Sequence, residues 1–559
     1  MTIYWPKTPL AEDPVNDGGL AFEVPQEVLR RHGASVLEPS TAANSAVGRA
    51  LRPTAYVSSV LLIPRAELTA KNNESLNVLL NPIGMRLPEL DNGRDGKPGL
   101  PPLPEGLDTV PVVLQPAGQS AVVDAWAALQ AIRAGAAKEL SDQISLDHLM
   151  FASRWNGDLG GVPGPIQGFV PFGPGTAGSG YLDGPVALEL PAIRQQEVST
   201  LALGRRPVVA VLDTGIGRNT WLDIPELDTK LPVFRWKTGP HVKVDDKIQT
   251  AVQEAGTYLR DQDHRVEVIT HPKDEPLTRN PLVGTQAWCF GHGLFCAGVI
   301  QQIAPDSTVL AVRVMGSDGV ARESAVVAAL RALVQRIDDA LFTGDPEMMV
   351  DIVSLSMGYL FERPESEEAL SPIAVQINEL RNRGVLVVAA AGNSASSERF
   401  FPASLSTFSN ALTTPPVISV GALNPNGSKA LFTNEGKSVT CYATGTNVIS
   451  TFPQDANASR QPLVQVPAVN RPGLPQFRQS PDVDDHRLSP FTVWTGSSFA
   501  APHIAAHLAK ALHDMAPAEA TGIGKTEQAM KRAADAVAAV KHAANPPTDE
   551  PTTPPAPAP

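Results

Sequence analysis

Residues 206–215, RPVVAVLDTG, decide the fold. From Val208 to Leu212 every side chain is apolar and valine predominates, with no polar alternation, so the run reads as a strand buried on both faces. Asp213-Thr214-Gly215 closes it with a turn sequence. The same design returns in STVLAVRVMG (307–316), MVDIVSLSMG (349–358), GVLVVAAAGN (384–393) and PPVISVGAL (415–423). Helical patterns such as ESAVVAALRALVQRIDDAL (323–341) lie between them. Doubly buried strands separated by helices predict an α/β fold, a three-layer α/β/α sandwich with a mostly parallel central sheet. Such sheets gather ligands at the carboxyl ends of their strands, and Asp213 stands at one.

Four positions could carry chemistry, and each has a plain structural alternative. Asp213 could simply form the turn before Thr-Gly. His292 stands between two glycines in FGHGLFCAGVI (290–300), at the start of a helical pattern, where it serves equally as a cap. Asn393 closes the strand of VVAAAGNSASS (387–397), and asparagine adopts left-handed turn backbone readily. Ser497 and Ser498 in GSSFAAPHIAA (496–506) precede a helix, where serine is an ordinary N-cap and Pro502 fits a first turn.

Taken together, in the order Asp, His, Asn, Ser, these motifs resemble those of the subtilisin-like serine peptidases, the subtilases of peptidase family S8, of the intracellular bacterial type without a signal peptide. VAVLDTGIG, GHGLFCAG, VAAAGN and GSSFAAPHIAA are similar to the family's four motifs, and the intervening strands look like its connecting strands, so the resemblance runs over about residues 205–512. It implies that Ser498 is the nucleophile, His292 its general base and later acid, and Asp213 the residue that holds the imidazole tautomer. It implies an oxyanion hole made by the Asn393 amide and the Ser498 backbone N–H. Gly496 and Ser497 fall on the family's Gly-Thr, which selects Ser498 over Ser497. Ser356-Met357-Gly358 and Ala390-Ala391-Gly392 would wall the pocket for the residue before the scissile bond, and backbone near Gly319 and Ser356 would pair with an extended peptide. With no evident charged floor, that pocket would prefer an apolar or aromatic residue.

The sequence also departs from the family pattern. Leu294 and Phe295 stand where the His motif has Thr and a second His, which implies different packing behind His292. Cys296 follows His292 by one helical turn, as in the thiol-bearing branch of the family, and should lie beneath the site, within reach of a mercurial. The helix after His292 runs straight to the next strand in AGVIQQIAPDS, without the inserted calcium loop of many secreted relatives. Cys289, His292 and Cys296 match no closed zinc spacing, and in HIAAH, Ile504 occupies the place where a zinc peptidase needs Glu, so His503 and His507 read as structural. No cofactor and no metal are expected.

With 559 residues, 43% of them apolar, the chain has room for more than one domain. A net charge of −13 argues against nucleic acid or an anionic membrane as partner. A peptide or protein substrate remains, with room for a regulatory partner protein. The N-terminal stretch lacks a basic segment followed by an apolar one, and three cysteines make no disulfide framework; both features point to the cytoplasm.

Residues 1–50 read as a loosely docked, partly disordered arm with a helix-like run near PQEVLRRHG. Residues 53–155 read as a small α+β domain, with strands at TAYVSSVLLIP, SLNVLLNPIGM and TVPVVLQP and a helix in SAVVDAWAALQAIRAGAAKEL. This domain weakly resembles a subtilase propeptide; an uncleaved regulatory domain is the alternative. Residues 156–195 form a Gly/Pro-rich linker, where autocleavage within SGYLDGPVALELPAIRQQ would release the peptidase domain of 196–520. A C-terminal helix (521–544) and a Pro-rich disordered tail (545–559) follow. Insertions at 218–290 and 454–490 flank the catalytic strand ends and either narrow the cleft or decorate the surface. The expected function is a serine endopeptidase working through an acyl-enzyme; a partner-controlled or non-catalytic peptide-binding scaffold is the competing class.

Overall fold

The valine-rich runs form the strands of one central sheet. The computed structural model describes residues 2–6, 24–37, 51–90, 99–118, 122–152, 186–189, 194, 204–230, 240–275, 278–280, 285–363, 365–408, 414–455, 465–467, 472–473, 477–479, 489–515 and 526–545. Val208–Asp213 is buried along its whole length, between parallel neighbours Thr308–Arg313 and Ile352–Leu355. Val242–Lys243 lies beyond the first neighbour, and Leu386–Ala390, Val417–Leu423 and Cys441–Thr444 lie beyond the second, all parallel. Ile3–Tyr4 closes the far edge antiparallel. Chain order reverses direction at Val208–Asp213, so the carboxyl end of this strand lies at a topological switch point.

Helices cover both faces, as the pattern predicts. On one face His292–Ile303, Ser497–His513 and Thr526–Ala544 share an apolar cluster with Val209 and Val211. On the other, Glu323–Thr343 and Pro372–Asn382 share a cluster with Ala210 and Leu212. Alternate residues of one strand therefore feed two cores, which is why the run carries no polar alternation. The C-terminal helix belongs to the first core through Ala533, Val537 and Val540.

A smaller antiparallel sheet forms the N-terminal unit. Thr54–Pro64 pairs with Ala34–Leu37, Thr109–Val113 and Ser145–Phe151. Ala70–Leu80 and Ala125–Gly135 pack on it through Leu76, Leu80, Leu129 and Ile132. The stretch SLNVLLNPIGM, expected as a strand, is instead the second half of the helix Ala70–Leu80 and its exit. Thr69 caps this helix by accepting from the Asn72 N–H, and the buried leucines lie one turn apart; cap and spacing outweigh a short apolar run.

All seven residues of Ser145–Phe151 are buried, because the far edge of this strand pairs with Val320–Arg322 of the larger unit. The arm is anchored rather than loosely docked where it is described: Ile3–Tyr4 joins the main sheet, Trp5 is buried, and the Lys541 ammonium lies 5.1 Å from the centre of its ring. Gln26–His32 forms the expected helix. Within the linker, Ala187 bridges to the strand Val448–Thr451; most of the expected autocleavage stretch and the tail beyond Asn545 lie outside the described residues. Among the described residues no helix is long and apolar enough to cross a membrane.

Candidate active site

Asp213 ends a strand, His292 begins one helix, and Ser498 is the second residue of another. The switch point brings the three together. Both Asp213 carboxylate oxygens face His292 Nδ1, at 2.8 and 2.9 Å, and the Thr214 N–H donates to Asp213 Oδ1 at 2.7 Å. The approach depends on Gly293, where a Cβ would lie 2.7 Å from the Gly215 carbonyl oxygen. Binding of Nδ1–H by a carboxylate leaves Nε2 as the basic nitrogen.

An aromatic set supports the ring where the sequence departs from the family. The imidazole centre lies 5.3 Å from Trp494, edge-on, and 5.1 Å from Phe499; Phe295 packs 4.5 Å from Phe499. Sequence reasoning flagged position 295 but missed Trp494, whose strand carries no motif.

The Ser498 turn is tied down from several sides. The Ser497 N–H donates to Asn393 Oδ1 at 2.8 Å, and Ser497 Oγ accepts from the Gly392 N–H at 3.2 Å. Pro502 lies inside this helix rather than in its first turn. It has no N–H to give to the Ser498 carbonyl four residues back. Ser356 Oγ–H fills that place at 2.8 Å, with Cys296 Sγ at 3.6 Å.

Cys296 lies beneath the site as expected, 3.9 Å from Asp213 Oδ2, and burial together with that carboxylate pushes its thiol pKa well above the ordinary range. The ligand atoms of Asp213, His292 and Cys296 come within 4.8 Å of one another. Asp213 is already engaged by the imidazole, and these are hydrogen-bond contacts.

Asn393 Nδ2 is buried and has no hydrogen-bond partner among the described residues, while its Oδ1 is fixed by Ser497. The Ser498 N–H, in the first turn of its helix, has no intrahelical acceptor either. An unused amide donor beside a helix N-terminus is a ready cradle for an oxyanion.

The cleft holds part of the chain itself. The Ala152 N–H donates to the Gly319 carbonyl at 3.0 Å, and Phe151 exchanges two backbone hydrogen bonds with Gly358, at 2.8 and 3.0 Å. Gly319 and the Ser356–Gly358 segment thus pair with an extended chain, the one joining the N-terminal unit to the linker. Ser498 Oγ donates to the Ala152 carbonyl oxygen at 2.6 Å, with Ser356 O at 3.3 Å, and makes no hydrogen bond to His292. Met357 points into the core, in the same apolar cluster as Met150, so the backbone on either side of it faces the bound strand. Ala390, Ala391 and Gly392 are buried beside the Ser497 turn, with Asn434 Nδ2 donating to the Ala391 carbonyl.

The profile of the subtilase family, Peptidase_S8, matches residues 204–547, more than half of the chain. The chain belongs to the subtilase family. Subtilisin BL of Lederbergia lenta is 32% identical over 178 residues, which are 30% of this chain and 56% of that protein. An alkaline protease of Alkalihalobacillus alcalophilus is 31% identical over 178 residues, 30% of this chain and 40% of that one. Subtilisin-like protease 4 of Trichophyton rubrum is 30% identical over 168 residues, 29% of this chain and 37% of that one. The chain thus spans about half or less of these relatives. A solved cold-adapted subtilisin-like serine proteinase aligns over 60% of this subtilase and 86% of its own chain, with 17% identity and a TM-score of 0.31.

Proposed function

We propose that this subtilase is a serine endopeptidase whose cleft is held closed by its own N-terminal unit. Ser498 Oγ adds to a peptide carbonyl while His292 Nε2 takes its proton, and Asp213 stabilises the imidazolium. Asn393 Nδ2 and the Ser498 N–H hold the oxyanion. His292 then gives its proton to the leaving amine, and water hydrolyses the acyl-enzyme. The observation that carries this reading is the Asn393 amide donor, buried without a partner among the described residues, in a site that also holds a serine and a carboxylate-bound histidine. A donor so placed can receive a developing negative oxygen.

Substrate is an extended peptide, and the uncharged pocket walls Ser356–Gly358 and Ala390–Gly392 favour an apolar or aromatic residue before the scissile bond. The three buried cysteines are not joined in disulfides, which supports a reducing compartment such as the cytoplasm.

The self-bound strand supports a latent state. Its Ala152 carbonyl accepts from the hydroxyl of Ser498 instead of from Asn393, so it lies in the cleft in an unproductive pose. Within the stretch expected to be cut, Ala187 pairs with Val448. This favours control by displacement of the N-terminal unit, with a partner protein as one means.

A fluorophosphonate probe tests the assignment. Wild type is labelled slowly and Ser498→Ala not at all, while Asn393→Ala loses about 100- to 1,000-fold in rate, the size known for the corresponding donor in subtilisin. No labelling of folded wild type, or equal labelling of Ser498→Ala, overturns it. Intact mass decides the fate of the N-terminal unit: equal masses for wild type and Ser498→Ala mean an uncleaved regulator, and a smaller wild type means autoprocessing.

A further inference from the structure

We propose that Asp274, from the insertion between Asp213 and His292, is a positioning residue that fixes the Asp213 turn, the start of the His292 helix and the cleft wall relative to one another. The proposal rests on the serine-peptidase reading above.

Asp274 stands in THPKDEP (270–276), a stretch without a motif. The inserted chain returns to lie alongside the Asp213 turn: the Ile216 N–H donates to the Pro272 carbonyl at 3.0 Å, and the Asp274 N–H to the Ile216 carbonyl at 2.8 Å. Contact is close enough to require Gly215, whose φ is +105° and where a Cβ would lie 2.4 Å from the Pro272 oxygen. The Arg313 side chain, on the strand beside Asp213, donates to the carbonyls of His271 and Lys273 and secures the loop from below.

The Asp274 carboxylate is 1% exposed and accepts three hydrogen bonds, each from a different loop of the site. Oδ2 receives Thr214 Oγ1–H at 2.7 Å and the Gly291 N–H at 2.7 Å; Oδ1 lies 2.7 Å from Ser317 Oγ, whose one proton is shared between it and the Glu275 carbonyl. Thr214 is the residue whose N–H holds Asp213, and its Oγ1 accepts from the Gly293 N–H at 3.1 Å. Gly291 and Gly293 bracket His292. Ser317 stands two residues before Gly319, which pairs with the bound strand, and its carbonyl accepts from the Cys289 N–H at 2.9 Å. One side chain thus ties the turn of the acid, the turn of the base and one wall of the cleft.

Burial outweighs Arg313 and the three donors and leaves this carboxyl raised to about 6. An ionised carboxylate costs free energy in so enclosed a place unless its oxygens are fully used. Here all three donors belong to loops of the site. Losing the carboxylate shifts the backbone on both sides of the Asp–His pair by fractions of an ångström, which acts on the reacting geometry more than on peptide binding.

Fluorophosphonate labelling of the full chain separates the maximal rate, the half-saturating concentration and the final amplitude. Asp274→Ala is expected to lower the maximal rate about 10- to 100-fold, with half-saturation within about twofold of wild type and full amplitude. Asp274→Asn keeps an oxygen for Thr214 and Gly291 and is expected to restore most of that rate. An unchanged rate in Asp274→Ala, or a loss confined to amplitude, overturns the proposal. Should Asp274→Ala fail to fold, Thr214→Val decides: slowing by about threefold or more supports the coupling, and a rate within about twofold of wild type overturns it. Failure of the peptidase reading looks different, since wild type itself then stays unlabelled or Ser498→Ala is labelled too.

Discussion

Among the buried histidines held by carboxylates, His292 and His148 make a contrast. His292 is held at Nδ1 by Asp213, which leaves the other ring nitrogen for a proton in transit. His148, on the strand Ser145–Phe151, is held at both: Nδ1 lies 2.5 Å from Glu323 Oε2 and Nε2 lies 2.8 Å from Glu362 Oε2. On the proposed function the first pair is a proton shuttle, and the second joins two units as a latch. His148 belongs to the N-terminal unit and its two glutamates to the peptidase unit, so the latch joins the two only a few residues from Ala152 in the cleft. Neighbouring contacts widen it: Asp147 accepts from the Ser324 N–H and hydroxyl, Arg133 pairs with Glu362 at 3.1 Å, and Tyr359 stacks on the imidazole at 4.4 Å.

Removing each histidine should break the comparison in opposite directions. His292→Ala takes away the general base and is expected to cost about 10⁴- to 10⁶-fold in fluorophosphonate labelling, with folding intact. His148→Leu takes the imidazolium from two buried glutamates and leaves Glu362 with Arg133 and Arg363, a loss of about 3–5 kcal/mol at the interface between the units. Labelling of that variant should become faster than wild type, because the strand over Ser498 is less firmly held. A His148→Leu chain that melts like wild type and labels at the same rate would show that the latch does not control the cleft.

The pH dependence sharpens the same contrast. Two facing carboxylates raise the His148 pKa to about 9 against the cost of burial, above an unfolded value near 6.5. A raised histidine stabilises fully below its unfolded pKa and loses that contribution as pH rises through its folded one. The latch therefore weakens between about pH 6.5 and pH 9, by on the order of 3 kcal/mol. Asp147 adds no acid weakness: burial raises it to about 6, so its ionised form costs stability at neutral pH, and that cost is relieved as pH falls. Glu362, held far below the usual carboxylate range by His148, Arg133 and Arg363, keeps its charge well into acid. Opening should be alkaline, visible as faster labelling of wild type near pH 9 than His148→Leu shows relative to its own neutral rate. An acid-triggered opening would contradict the assignment.

How much of this was legible in the sequence depends on the range of the interactions. The sheet was readable because burial on both faces writes a continuous apolar run, as in Val208–Leu212. Asp213, His292, Asn393 and Ser498 were readable because each sits on a short motif at an element boundary. His148, Glu323 and Glu362 were not, since their meaning lies in contacts across more than 170 positions of chain. Asp274 is opaque for a similar reason: three donors from separate loops converge on it, and nothing near it in sequence announces them. The mistaken strand at SLNVLLNPIGM shows the opposite limit, where a run too short to set its own period was decided by the Thr69 cap.

The smallest expected effect concerns Cys296, the third polar group beneath His292. Its sulfur is 3.6 Å from the Ser498 carbonyl and 3.9 Å from Asp213, close enough that the sequence predicts inhibition by a mercurial. Complete burial and the raised thiol pKa oppose this, because the thiolate is the reactive form and no face of it meets solvent. Modification should therefore follow opening of the protein rather than thiol chemistry, proceeding slowly at neutral pH and faster when His148→Leu loosens the latch. Cys296→Ala removes one sulfur from a packed core, costs about 1–2 kcal/mol in melting, and leaves the labelling rate within about threefold while abolishing mercurial sensitivity. Rapid, stoichiometric inhibition of native wild type would mean that the floor of the site is open to solvent, and with it the imidazole that the aromatic set encloses.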